Sequence, residues 1–280
     1  MAKRKTKSKS SKPIPYQTIF IGIISLIFIY TTYHYRHGLN YWWKTIERKF
    51  GAKKDQDNAH EIKLTKYDLR NIELMDRYYL DTFGLDVSQY QGKIDWTQMN
   101  TIYDIYPIQF VFIRATMGGF NTDNRFKENW KESKNKNLLR GAYHFYRPDE
   151  NSTIQAENFI QNVKLEIGDL PPVLDIETTP KTQPMERLIE GLKNWCSIIE
   201  AHYGVKPIIY TSDKYHQDYL IKHFEGYVIW IANYNFFIEK MQPHWDFWQF
   251  TEKAQIKGTR EKVDVNIYRG TVDELKNLTL

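Results

Sequence analysis

The chain has 280 residues, 41% hydrophobic and 26% charged, ordinary values for a globular protein with room for one large domain and an appendage. Its net charge of +5 is local, because Lys3, Arg4, Lys5, Lys7, Lys9 and Lys12 crowd the N-terminus without an acid. The rest is close to neutral, which argues against a nucleic-acid-binding body. The single Cys196 excludes an internal disulfide and a cysteine metal cage, and the 8 histidines lack H-x-x-x-H spacing, so no metal or other cofactor is expected.

Residues 1–15 read as a basic cytoplasmic tail. From Tyr16 to Tyr33 there is no charge, and Ile and Phe occupy every side of the run. Residues 16–35 therefore read as a single transmembrane anchor with tyrosines at both edges. A cleaved signal peptide is the rival, but no small-x-small cleavage site follows. A buried core helix is the third reading, and the basic flank fits it poorly. The positive-inside bias places the basic end in the cytoplasm and everything after residue 35 outside a bacterial cytoplasmic membrane. Residues 36–80 are mixed in composition and read as a linker or stalk.

From residue 81 to 272 the pattern is regular. Eight apolar runs read as strands: Phe83–Ser88, Phe110–Thr116, Leu139–Arg147, Pro172–Glu177, Pro207–Thr211, Val228–Tyr234, Asp246–Phe250 and Val263–Tyr268. Helical segments separate the earlier ones: Asp123–Asn137 with an N-cap candidate, Ser152–Lys164 with a capping-box-like start, and Pro184–Tyr203. Cys196 falls in the last of these and reads as an inert buried thiol. Strands alternating with helices predict a parallel α/β sheet, and eight of them a closed barrel. The last strands are joined by short, weakly helical links, so the later helices are expected to be rudimentary. Residues 273–280 read as a C-terminal tail.

The fourth run carries the most chemistry. Asp175 and Glu177 end an apolar strand two positions apart, so they share one face. Their mutual repulsion and desolvation raise the pKa of one of them. A protonated carboxyl beside an ionised one is the equipment for cleaving a glycosidic bond. Polar residues collect near the ends of the other runs as well: Asp86, Ser88, Arg114, Tyr143, His144, Tyr210, Asn233, Tyr234, Trp248, Gln249, Asp264 and Asn266. In an α/β barrel the active site forms at the C-terminal ends of the strands. An aromatic content of 15% suits a sugar binder and a packed core equally.

At these residues the chain resembles glycoside hydrolase family 25, the lysozymes that cleave peptidoglycan as N-acetylmuramidases. The resemblance spans roughly residues 82–270. It rests on Gly84–Gly92 with Ile94-Asp95-Trp96, Gly141–Tyr146, Pro172–Glu177, Ile209-Tyr210-Thr211, Trp230–Tyr234, Trp248-Gln249-Phe250 and Val263–Asn266, in that order. It implies an irregular TIM-like barrel of eight strands and about five helices. It also implies Glu177 as general acid, Asp175 as the group that assists the substrate's 2-acetamido carbonyl, and Asp86 and Asp264 as further acids of the site. Tyr143, Tyr210, Trp230, Asn233, Trp248 and Gln249 would hold the sugar. The implied substrate is the peptidoglycan glycan strand. The protein itself is read as a monomer. The chain departs from the family where Met117 stands in place of a common acid.

Each residue also has a plainer reading. Asp86 caps a turn; Asp264 pairs with Arg260 or Lys262; His144 is a satisfied core histidine; Trp230 and Trp248 are core. A non-catalytic glycan-binding barrel would need neither acid of the pair. A chitinase-like hydrolase would be expected to show a longer D-x-x-D-x-D-x-E series.

Overall fold

A computed structural model describes residues 22–26, residue 30 and residues 64–280. The basic tail and most of the expected anchor lie outside the described residues. Among those described, no helix is long and apolar enough to cross a membrane.

Eight strands close into a barrel: β1 (Thr82–Val87), β2 (Phe110–Met117), β3 (Leu139–Phe145), β4 (Val173–Asp175), β5 (Ile208–Ser212), β6 (Ile229–Ala232), β7 (Phe247–Ala254) and β8 (Val263–Tyr268). All eight expected runs form strands. From β1 to β7 every neighbouring pair is parallel. The last strand departs from the expected parallel order. β8 runs antiparallel to both β7 and β1 and closes the barrel between them. The link 255–262 is too short for the crossover that a parallel strand requires, so the chain can only turn back.

Alternation along each strand sorts the side chains into two cores. Phe110, Phe112, Val173, Ile208, Trp230, Phe247 and Tyr268 fill the barrel's interior. Gly84 and Gly141 make that filling possible. A Cβ on either would lie 2.4 Å from the ring of Phe110 or Phe112. Val111, Ile113, Ala142, Leu174, Ile209, Ile231 and Val265 point outward into the larger core shared with the helices.

Helices α2 (Phe126–Asn135), α3 (Ser152–Asn162) and α4 (Met185–Tyr203) separate β2, β3, β4 and β5. Cys196 is buried on the inner face of α4. The cap of α3 is Asn151, one residue before the expected start, accepting from the amides of Thr153 and Ile154. Asp123 is not a cap. Its carboxylate takes the Arg114 guanidinium at 3.0 Å and the Gln89 and Arg125 amides.

Two ends expected to be loose are part of the fold. Helix α1 (Lys66–Arg77) lies within the expected linker yet packs on the barrel, with Leu74 and Met75 buried. Its Arg70 is buried and donates to the carbonyls of Phe250, Asn235 and Ile238 at 2.8–3.1 Å. The short helix Val272–Lys276 lies in the expected tail, and its Leu275 joins the barrel's interior.

Arg70 thus satisfies three carbonyls that no side chain replaces on truncation. Arg70→Ala is expected to destabilise the protein by about 3 kcal/mol in urea unfolding, since charged hydrogen bonds contribute roughly 1.5–3 kcal/mol each and their losses do not add fully. Arg77→Ala, which removes an exposed pair with Glu239, should cost under about 1 kcal/mol. Equal effects from the two would rule out Arg70 as the staple.

Candidate active site

The upper layer of the barrel's inward side chains is polar, and it lines a cavity of about 270 Å³. Asp86 comes from β1, Arg114 from β2, Tyr143 from β3, Asp175 from β4 and Tyr210 from β5. Gln249 comes from β7 and Asp264 from β8, with Trp230 of β6 below. Glu177 follows β4 by two residues, on the same side as Asp175, and stands exposed at the mouth. Asp264 reaches this end only because β8 is reversed. It sits near the start of its strand, directly opposite Asp86. A parallel β8 would have carried it to the far end.

A network of amides orients Asp86. Its Oδ2 accepts from Gln249 Nε2 at 2.6 Å and from Asn266 Nδ2 at 2.8 Å. Asn266 Oδ1 in turn accepts from the Trp230 indole at 2.8 Å. Gln249 Oε1 accepts from the hydroxyls of Tyr210, at 2.7 Å, and Tyr234. Each donor in this chain points toward Asp86, so neither amide can flip without breaking its bond to the acid.

The carboxyls are held back from ionising. Burial, then the charge of Glu177 beside it, drives the Asp175 pKa well above the carboxylate range. No N–H or O–H donor from the described residues reaches Asp175 Oδ1. Its carboxyl contact is Glu177, whose own pKa is raised by desolvation while the bond from Asp175 opposes the rise. The two acids thus titrate as a coupled pair in which burial favours the protonated form of Asp175. Burial pushes Asp86 up to about 6 against the pull of its two amides. Asp264 rises to about 9 through burial and then the charge of Asp86.

Two expected sugar-binding residues, Trp248 and Asn233, lie elsewhere, and His144 is the core histidine of its plainer reading. Trp248 alternates outward from β7 and is fully buried between Trp245, Phe250 and Tyr78 of the outer core. Asn233 turns its amide to Asp213 at 3.3 Å and is not in the cavity wall. His144 faces outward, bonded to Thr116 at 2.7 Å and Gln155 at 3.1 Å and stacked on Trp195. Burial lowers its pKa to about 4, so it is a neutral core histidine. Met117 lies outside the cavity, its sulfur 3.6 Å from the Arg147 guanidinium. Conversely, Asn266, Tyr234 and Tyr90 belong to the site or its wall. Asn266 and Tyr234 were visible as polar strand-end residues, but nothing in their spacing tied them to Asp86. Among the described residues no cluster of three or more His, Cys, Asp or Glu suits a metal.

Raised carboxyl pKa values mean that the folded site keeps protons the unfolded chain has already released. With Asp86 near 6 and Asp264 near 9, stability falls as pH rises from about 4 to about 9. Asp264→Asn removes the higher of these costs. It is expected to raise stability at pH 8 by about 2 kcal/mol, with the gain vanishing near pH 4. Urea unfolding at both pH values checks this, and an equal gain at each would contradict it.

The sequence matches the model of glycosyl hydrolases family 25 over residues 85–259. YegX of Escherichia coli K12 is 33% identical over 262 residues, covering 91% of this chain and 90% of that protein. Lysozyme M1 of Streptomyces globisporus is 29% identical over 208 residues, 69% of each chain. A family 25 glycosyl hydrolase from Bacillus anthracis shares the fold with a TM-score of 0.65 at 29% identity, over 80% of this chain and 100% of that one. The bacterial lysozyme of Streptomyces coelicolor does so with a TM-score of 0.63 at 27% identity, over 71% of this chain and 97% of that one. The matched segment runs from β1 almost to β8 and carries most of the acids gathered in the cavity, and on that ground the chain belongs to glycosyl hydrolases family 25 and is a glycoside hydrolase.

Proposed function

We propose that the protein is a lysozyme-type muramidase, hydrolysing the β-1,4 bond between N-acetylmuramic acid and N-acetylglucosamine in peptidoglycan. The observation that carries the reading is the buried Asp175, with an undonated Oδ1, in contact with Glu177 at the cavity mouth. The names of similar proteins support it, since they include Lysozyme M1 and the N,O-diacetylmuramidase of Arthroderma benhamiae.

The geometry suggests how the pair works. When a substrate enters, its acetamido N–H donates to Asp175 and favours the carboxylate there. The proton of Asp175 then moves to Glu177, which becomes the general acid. Glu177 protonates the leaving oxygen as the acetamido carbonyl oxygen attacks the anomeric carbon. Asp175 stabilises the positive oxazolinium that forms. Glu177, now ionised, takes a proton from the water that opens this ring, and the β configuration is retained through two inversions. Asp86, with Asp264 and the Gln249–Asn266 amides, shapes the wall behind the reacting sugar.

Glu177→Gln is expected to cut turnover by at least about a hundredfold, the low end for a positioned general acid, with folding intact. Asp175→Asn should lower kcat strongly while glycan binding persists, as for a contact made mainly in the transition state. Mass spectrometry of the products should show new reducing ends on muramic acid, and proton NMR a first-formed β anomer. An initial α anomer would exclude the acetamido route. Reducing ends on glucosamine alone would favour a chitinase-like hydrolase, and glycan binding without cleavage a non-catalytic barrel.

We further infer that the enzyme is a monomer and, from residues 16–35, that it is anchored by a single pass in a bacterial cytoplasmic membrane, with the barrel on the outer or periplasmic side. Full-length protein should stay in the carbonate-washed membrane pellet, with the barrel open to protease from outside. A soluble mature form starting near residue 36 would mean a cleaved signal instead.

A further inference from the structure

The catalytic cavity is small for its proposed substrate. At about 270 Å³ it falls below the roughly 300–1,000 Å³ of pockets that enclose a drug-sized ligand. Whatever is attached to the sugar held there must lie outside it. A second concavity, of about 1060 Å³, adjoins it and shares Tyr90 and Gln91 as a common wall. Its other walls are the segment that follows β1, the turn between β7 and β8, and the acidic side of α2.

This groove is built rather than incidental. The Asp95 amide donates to the Gly258 carbonyl at 2.7 Å, tying the two loops together. Gly258 holds φ +96, and a Cβ there would lie 2.4 Å from the Asp95 carbonyl oxygen. Gln91 Nε2 donates to the Lys262 carbonyl at 3.1 Å, and the buried Trp96 indole donates to Asn129 at 3.3 Å.

Its chemistry differs from that of a sugar subsite. Neutral glycans are gripped by open aromatic faces. Here Trp96 is buried, and the Tyr90 ring already carries the Arg114 guanidinium 4.7 Å from its centre. What the groove offers instead is charge of both signs. Lys93, Arg260 and Glu261 stand exposed along it. The Asp95 carboxylate is occupied by Thr97 and Gln98, and Glu128 by Arg125. Arg260 and Glu261 form no ion pair among the described residues. A ligand with carboxylates and an amine, joined to the sugar in the cavity, would complement this surface.

Resting on the muramidase reading, we propose that the groove holds the peptide stem of the muramic acid bound in the catalytic cavity. The stem leaves over Tyr90; Lys93 and Arg260 take its carboxylates and Glu261 its amine. The groove thereby selects peptide-bearing peptidoglycan over bare glycan.

The test compares kcat/KM on intact peptidoglycan with that on the same glycan stripped of peptide by an amidase, using the full chain. The wild type should prefer the intact polymer. Lys93→Ala/Arg260→Ala should lower that preference about tenfold, through KM rather than kcat, as two exposed charge pairs allow. Both residues are exposed, so folding is not at risk. A wild type without preference, or a double variant that keeps it, overturns the proposal and leaves the muramidase reading intact. If the wild type cleaves neither polymer, titration with a disaccharide-tetrapeptide and with the free disaccharide decides the groove separately. Tighter binding of the peptide form, lost in the double variant, supports it; equal binding rejects it.

Discussion

The reversal of β8 is the constraint on which the site depends. A barrel of seven parallel strands leaves two open edges, and β8 seals both by running antiparallel to β7 and β1. The same reversal brings the start of β8 to the end where the other strands finish. Asp264 therefore faces Asp86, and Asn266 lies one inward position below it. Closure and site assembly are one event in this fold. A register slip of a single residue in β8 would turn Asp264 and Asn266 outward and leave Asp86 with one amide fewer.

The site works against the stability of the fold that holds it. Asp86, Asp175 and Asp264 are packed into one barrel end, where their ionised forms are poorly solvated. Gln249 and Asn266 offset part of this at Asp86 alone. Asp175 receives no such relief at Oδ1, and its burial, then the charge of Glu177, raises its pKa. Replacing the acids with amides would ease the burial cost and remove the proton transfer proposed for them at once.

The barrel is steadied from outside the segment that matches the family. Helix α1 precedes residue 85, where the match begins. Through Arg70 it grips the carbonyls of Asn235 and Ile238 in the loop after β6. That loop also carries Tyr234, whose hydroxyl bonds Gln249. Order in α1 is thus linked, through one loop, to the amide that orients Asp86. At the other end Leu275 occupies the barrel's floor, so the last helix is part of the core.

Much of this was legible in the sequence, because strand formation and facing are local. Apolar runs bounded by turn residues located all eight strands, and a two-residue period put Asp175 and Glu177 on one side. The polar strand ends marked Asp86, Asp264, Tyr210 and Gln249, the family resemblance gave them roles, and all four line the cavity. What local pattern could not decide was the direction of β8, or which residues of an aromatic-rich strand end face inward. Trp248 and Gln249 are neighbours with opposite orientations, and only the register of β7 against β6 and β8 assigns the tryptophan to the outer core. Nor could composition reveal that Lys66–Arg77 packs on the barrel. Its stabilising bonds run from Arg70 to carbonyls some 165 to 180 residues away, and backbone carbonyls carry no sequence signal. The sequence alone determined the eight strands and the acids at their ends. Which groups meet across the barrel was decided by chain closure, a long-range packing constraint that no short window of residues contains.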